Sequence, residues 1–435
     1  MNNRRAYRRL AALLLAVPLA AASGCGSDGP PPAAAESPSP SGTPAASASP
    51  APSGTAQGES KPAASQPAPA QIQARLTGLR AVDDQVAYAW GKSAAGQLRL
   101  YRTEDAGGSW LEVTPPGLPA LTTDPGDHDL TVVDKNTAVY LSGMSARPMT
   151  IAVTADGGRT WKQGKVPYPE EGGDHLAFVT PAHGFLLHDS GAAMGSSAKQ
   201  LYETKDGGLT WNQVMDNRPL MEQAGPEDNG PLPLGGFAQY GITFRDGTNG
   251  WVPHESRTPG KVRLYRTKDA GRNWQPVPLE VSSNDPNGQP QITGAPVFFG
   301  GDRKTGWMPY EFRGQDRVQL GGYFTTDGGE TWKLISFGKT TDVLPTLQSP
   351  HVTFIDSSEG WLWNGANLLH TDDQGGSWSP LTGNTVFRDT LRSYPYLIDL
   401  QFVTQKTGWA LARNEAGDGS RLLRTQDGGK TWRVM

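Results

Sequence analysis

The sequence predicts an all-β protein, a seven-bladed β-propeller of four-stranded antiparallel blades preceded by a disordered tether. Three observations predict it. The pattern Thr-x-Asp-x-Gly-x-x-Trp occurs seven times in 435 residues, with 46 to 63 residues between successive aspartates. A second motif, an apolar residue followed by Gly-Trp or a variant of it, sits upstream of each copy. Between these landmarks the chain reads as short alternating or apolar runs separated by turn residues, with no helical period. A unit of about 50 residues is the size of one blade. A lone four-stranded sheet cannot cover both of its faces, whereas a ring of such sheets packed face to face can.

The repeated box is centred on Asp105, Asp156, Asp206, Asp269, Asp327, Asp373 and Asp427. Asp-Gly-Gly or Asp-Ala-Gly makes a tight turn in which glycine takes a positive φ. The carboxylate accepts hydrogen bonds from turn amides and from the threonine hydroxyl. The tryptophan that follows buries its ring between blades, for about 2–3 kcal/mol per copy. A catalytic group is not needed in every repeat, so these aspartates are read as structural. The upstream motif is clearest as Phe244…Gly250-Trp251, Phe354…Gly360-Trp361 and Phe402…Gly408-Trp409. Weaker copies begin at Phe178, Phe298, Val132 and Val82. Together the two motifs account for eleven of the thirteen tryptophans.

Residues 71–435 are assigned to the propeller, 26–70 to a linker and 1–25 to an export signal. Arg4, Arg5, Arg8 and Arg9 form a basic start, and Leu10 to Ala22 an apolar run too short to span a bilayer. The ending Ala22-Ser23-Gly24-Cys25 resembles a bacterial lipobox, which implies acylation of Cys25, the single cysteine of the chain. An ordinary signal with an accidental cysteine is the alternative, and the paired arginines also fit twin-arginine export. Residues 26–70 are rich in Pro, Ala and Ser and carry too little apolar surface to order. Extended at about 3.1 Å per residue, they reach on the order of 100 Å. The chain is thus expected outside the cytoplasm, lipid-anchored on the outer face of a bacterial membrane or in the envelope, as a monomer.

The boxes resemble the Asp-box (BNR) repeats of bacterial sialidases, sortilin-type receptors and xyloglucanase-like glycosidases. The whole Phe…Gly-Trp…Thr-x-Asp-Gly-Gly-x-Thr-Trp unit looks most like the photosystem II assembly and stability factor family of propellers. The resemblance implies that the box lies between strands 3 and 4, away from the ligand face. It implies that the ligand face is made by the strand 2–3 loops and the blade-to-blade connections. The Arg-Ile-Pro motif of sialidases does not occur. Arg147, Arg257, Arg313 and Arg413 lie in candidate loops without forming a recognisable triad.

Aligned blades place Lys92, Gly143, Asp189, Glu255, Glu311, Gly365 and Arg413 at the end of strand 2. Asp189, Glu255 and Glu311 are neighbouring acids, each preceded by a ring: His188, His254 and Tyr310. Asp129, His175, His351 and Asp399 fall at the start of strand 1, and His128 beside them. Asp189, Glu255 and Glu311, with His188, His254, Tyr310 and Arg413, are the candidate ligand- or partner-binding set. They could act as an acid–base pair on a glycoside, hold a cation, or form a solvated polar rim. The connections Val214–Gly236 and Leu279–Ala295 and the stretch Thr385–Tyr396, with Phe387, Arg388, Arg392 and Tyr394, are further candidate interface loops.

A net charge of −4 without a basic stripe argues against nucleic acid. No glycine-rich phosphate loop, nucleophile elbow or compact metal-ligand signature occurs, so no cofactor and no metal are assigned, nor any catalytic residue. The preferred reading is a non-catalytic surface scaffold or assembly factor that binds a protein or an envelope glycan. The runner-up is a glycoside hydrolase or lyase using carboxylates of the ligand face. Ring closure is expected by packing of the last blade on the first, without a swapped strand.

Overall fold

The computed structural model describes residues 71–435, apart from 143–148, 169–171, 194, 220–229, 257–259, 282–287 and 344–349. The signal, Cys25 and the linker lie outside the described residues, as do Gly143, Arg147 and Arg257. Seven antiparallel sheets follow one another along the chain. They occupy residues 75–112, 130–164, 172–216, 243–276, 289–336, 351–380 and 396–434, here blades 1 to 7. Within each sheet the strands are neighbours in sequence order, and among the described residues none is swapped between blades. Blade 7 shows the unit: Tyr396–Phe402, Gly408–Arg413, Ser420–Thr425 and the outermost, two-residue Arg433–Val434.

Every box has the same internal geometry. Thr425 Oγ1 donates to Asp427 Oδ1 at 2.9 Å and accepts from the Gly429 N–H at 3.0 Å. Asp427 Oδ1 and Oδ2 accept from the Thr431 N–H and hydroxyl at 2.8 and 2.6 Å. In the other copies Ser109, Thr160, Thr210, Asn273, Thr331 and Ser377 play the part of Thr431. Burial opposes the charge of Asp427, but the bonds from Thr431 and Thr425 outweigh it and hold the carboxyl below its ordinary value. One turn position was misjudged. The residue directly after the aspartate also has positive φ, and where it is not glycine the chain forces Ala106, Ala270 and Gln374 to φ of 60°, 62° and 66°.

The upstream motif is a cross-strand pair. Phe354 lies opposite Gly360, and Phe402 opposite Gly408. A Cβ on either glycine would come within 2.6 Å of the phenylalanine ring, so the ring takes the space a side chain would need. The tryptophan after the glycine then meets the phenylalanine of the next blade: Trp361 stacks on Phe402 at 3.8 Å and 4°. Register corrects the alignment in blade 1. Ala81, not Val82, lies opposite Ala87, the glycine position.

Two expected loops contain regular structure. Thr385–Ser393 is an α-helix. Its buried Phe387 and Leu391, four apart, join the core of blades 6 and 7, so Phe387 is packed rather than offered to a partner. Within Leu279–Ala295, Gln289–Ile292 pairs with strand 2 of blade 5 as the upper part of its first strand.

Candidate ligand face

Strand alternation separates the residues that sequence placed together. Neighbours along a strand point to opposite faces, so the rings preceding the three acids turn into the blade interfaces. His188 is fully buried; its ring stacks on Tyr168 at 3.7 Å, and its Nδ1 donates to Asp174 Oδ1 at 2.7 Å. Tyr168 donates to that same oxygen at 2.6 Å. His254 is also buried, its Nδ1 donating to the Glu255 carbonyl at 3.2 Å. Burial, reinforced by the Lys199 ammonium, lowers its pKa to about 3, so it is neutral. Tyr310 packs edge-on to Tyr323, and burial pushes its phenol up to about 12. His188 and Tyr310 are core; His254, though buried, lines a cleft beside Glu255.

The acids themselves are engaged. Asp189 Oδ2 accepts from the Ala238 N–H at 2.8 Å. Glu311 is buried and accepts from Arg313 at 2.7 Å; burial raises its pKa, and Arg313 opposes the rise. Glu255 stands half-buried in the wall of a cleft between blades 4 and 5. Tyr240 joins Glu255 and Glu311 electrically. Burial, then the two carboxylates, raise its phenol above the ordinary value, while Gln239 and Arg313 act in the other direction. Arg413 lies across the ring at 5.7 Å from the centre of Tyr396, on blade 7.

Nearer the axis, His175 and His128 meet at 6.2 Å between ring centroids, and burial and then His128 lower His175 to about 4. Asp129 is buried and accepts from the Gly126 N–H at 3.0 Å. His351 Nε2 donates to the Leu397 carbonyl at 2.8 Å, and Asp399 accepts from Gln401. Among the described residues no group of three or more His, Cys, Asp or Glu could hold a metal ion.

One residue escaped sequence reading. Lys199 is fully buried, and its ammonium donates to Ser197 Oγ and to the carbonyls of Pro233 and Gly236 at 3.0, 3.0 and 2.9 Å. It clips the blade 3–4 connection to strand 3 of blade 3. The available signal was its place two residues from Leu201, on the face that buries Leu201. Tyr240 lies beyond that clip and carried no sequence signal.

Consecutive antiparallel blades, each carrying an Asp box of the same geometry, define a class: this is a β-propeller of BNR/Asp-box repeats. The BNR/Asp-box repeat family model matches at residues 323–334. The chain is 25% identical over 291 residues to the photosystem II assembly protein Ycf48 of Thermosynechococcus vestitus, a match covering 59% of this chain and 70% of that one. It is 24% identical over 313 residues to a xyloglucanase of Hypocrea jecorina, covering 65% of this chain and 36% of the enzyme. Among solved structures, that of YCF48 bound to D1 peptide is similar with a TM-score of 0.48 and 17% identity, covering 84% of this chain and 99% of that one.

Proposed function

We propose that this chain is a non-catalytic scaffold or assembly factor whose ligand face binds a protein or cell-envelope partner. The reading includes export and a lipid anchor at Cys25 that holds the propeller at the outer face of a bacterial membrane. Similarity over 291 residues to an assembly protein supports it. The observation that carries it is the state of the acids: Asp189 is tied to a backbone amide and Glu311 to Arg313. Those bonds suit a rigid face that presents a fixed shape to a partner. The test is crosslinking capture from native envelopes with the full chain as bait, beside a variant carrying Asp189→Ala and Glu255→Ala. Partners captured by the wild type and lost by the variant are the expected result. Equal capture by both removes the acids from the contact. Retention of the protein in membranes after Cys25→Ser would remove the lipid anchor.

A second reading, a glycoside hydrolase or lyase, is favoured by the xyloglucanase similarity. Release of reducing ends from envelope polysaccharide, lost in Glu255→Gln, would establish it over the scaffold.

A further inference from the structure

The cleft between blades 4 and 5 has a volume of about 300 Å³. Its walls are residues of blade 4, with His254, Glu255 and Arg263, and the first strand of blade 5, with Gln289 and Gln291. Gln239 and Tyr240 of the blade 3–4 connection form its third side. We propose that this cleft binds a neutral, hydroxyl-rich ligand: a short stretch of an uncharged glycan. The inference rests on the reading of the ligand face as a binding surface and names the ligand class for it.

The lining argues for that class. Each amide offers a donor and an acceptor a fixed distance apart, which suits a pair of adjacent sugar hydroxyls. The carboxylate accepts, the guanidinium donates, and Tyr240 adds an aromatic ring to the lining, a group on which sugar C–H bonds pack. Charged groups of both signs line the cleft, Glu255 against Lys261 and Arg263, so no single charge selects an ionic ligand. The apolar lining, Val262, Pro290 and Ile292, is the smaller share, so polar contacts would set a ligand's orientation. An extended peptide would dock by adding a strand to the open edge of Gln289–Ile292. Pro290 sits in the middle of that strand and has no N–H to give. The volume suits about one or two sugar units.

The third side is held in place before any ligand arrives. Lys199 fixes Pro233 and Gly236. The Ala238 N–H is bound by Asp189, and the Glu255 N–H donates to the Phe237 carbonyl at 2.9 Å. A clamped wall lowers the ordering cost of binding. Lys199 is therefore a positioning residue for the cleft.

The test is binding of the full chain to cello-, malto-, manno- and laminari-oligosaccharides by titration calorimetry, with oligogalacturonate and an oligolysine peptide as charged probes. Binding of at least one neutral oligosaccharide is expected, with losses of about tenfold or more in Tyr240→Ala and in Gln291→Ala at unchanged melting temperature. Lys199→Met should weaken binding and raise amide exchange across 233–238. The inference is overturned if no neutral oligosaccharide binds, if a charged probe binds in preference, or if Tyr240→Ala and Gln291→Ala bind as well as wild type. Continued capture of an envelope partner by those two variants, with no glycan binding, would sink the glycan cleft and leave the scaffold reading standing.

Discussion

The junction between blades 6 and 7 and the one that closes the ring, between blades 7 and 1, solve the same problem differently. At the first, Trp361 stacks flat on Phe402, and its indole N–H donates to the Gly428 carbonyl at 2.9 Å. At the second, Ala81 stands where the phenylalanine would be, so Trp409 has no ring in the next blade's first strand. It meets Trp110 edge-on at 6.1 Å. Hydrogen bonds replace the stack. Gln401 Nε2 donates to the Leu79 carbonyl at 2.8 Å and its Oε1 accepts from the Ala81 N–H at 2.9 Å, so one side-chain amide acts as a strand edge. Arg424, buried over Trp409 at 5.3 Å, donates to the Asp84 carbonyl at 2.9 Å. The same device recurs between blades 1 and 2, where Val132 replaces the phenylalanine: Arg102 lies over Tyr88 at 5.6 Å and donates to Lys135 at 2.8 Å. A missing ring is thus compensated by a buried arginine. The closing junction adds Gln401, whose two directional bonds fix the register of blade 7 against blade 1.

The largest expected effect separates the two junctions. Trp361→Ala should cost about 3–5 kcal/mol in urea unfolding, and Trp409→Ala less, because its edge contact gives up less packing. Equal losses would break the comparison. Acid should divide the molecule next. His254 lies at the junction of blades 3 and 4, with its pKa lowered from 6.5 to about 3. Unfolded histidine takes up a proton first, so its share of stability is complete above pH 6.5 and is lost as pH falls toward 3. Arg424 keeps its charge throughout that window. Hydrogen exchange at pH 5 against pH 7 should therefore loosen blades 3 and 4 before the closing junction, and His254→Asn should flatten the difference. As pH falls past the ordinary aspartate value of 3.8, the Asp-box carboxyls, held below it by their hydrogen bonds, lose their share as well and weaken every blade together.

Gln401→Ala should cost about 1–2 kcal/mol, roughly twice Thr243→Ala, because Thr243 makes a single bond across to the Pro296 carbonyl. Its exchange signature should be confined to Leu79–Ala81; a diffuse signature would deny it the closing role. The smallest effect is a gain. Gln374→Gly relieves a positive φ that glycine accepts freely, and should add about 0.5–1 kcal/mol by thermal unfolding, while the stacked and closing junctions keep their difference.

The legible part of the fold was local. Box hydrogen bonds span four residues, and Phe–Gly pairing spans one hairpin, so both show in sequence spacing. The Thr385–Ser393 helix was legible in principle through Phe387 and Leu391, but its nine residues gave too short a period against a background of strands. Of the site, Glu255 and Glu311 fall at the ends of second strands in the consecutive blades 4 and 5. His188 and Tyr310 turn into the core, since neighbours along a strand point to opposite faces, whereas His254 lines the cleft beside Glu255.

What the sequence determined by itself was the number of blades, their strand order and the role of each box, because repetition and short-range hydrogen bonding are written in residue type and spacing. The tertiary structure decided which polar groups reach solvent, that Lys199 would be enclosed by carbonyls some forty residues away, and that Gln401 would close the ring onto a strand more than 300 residues earlier. Those contacts cross blades. Their partners are chosen by how neighbouring sheets face each other, which no local pattern encodes.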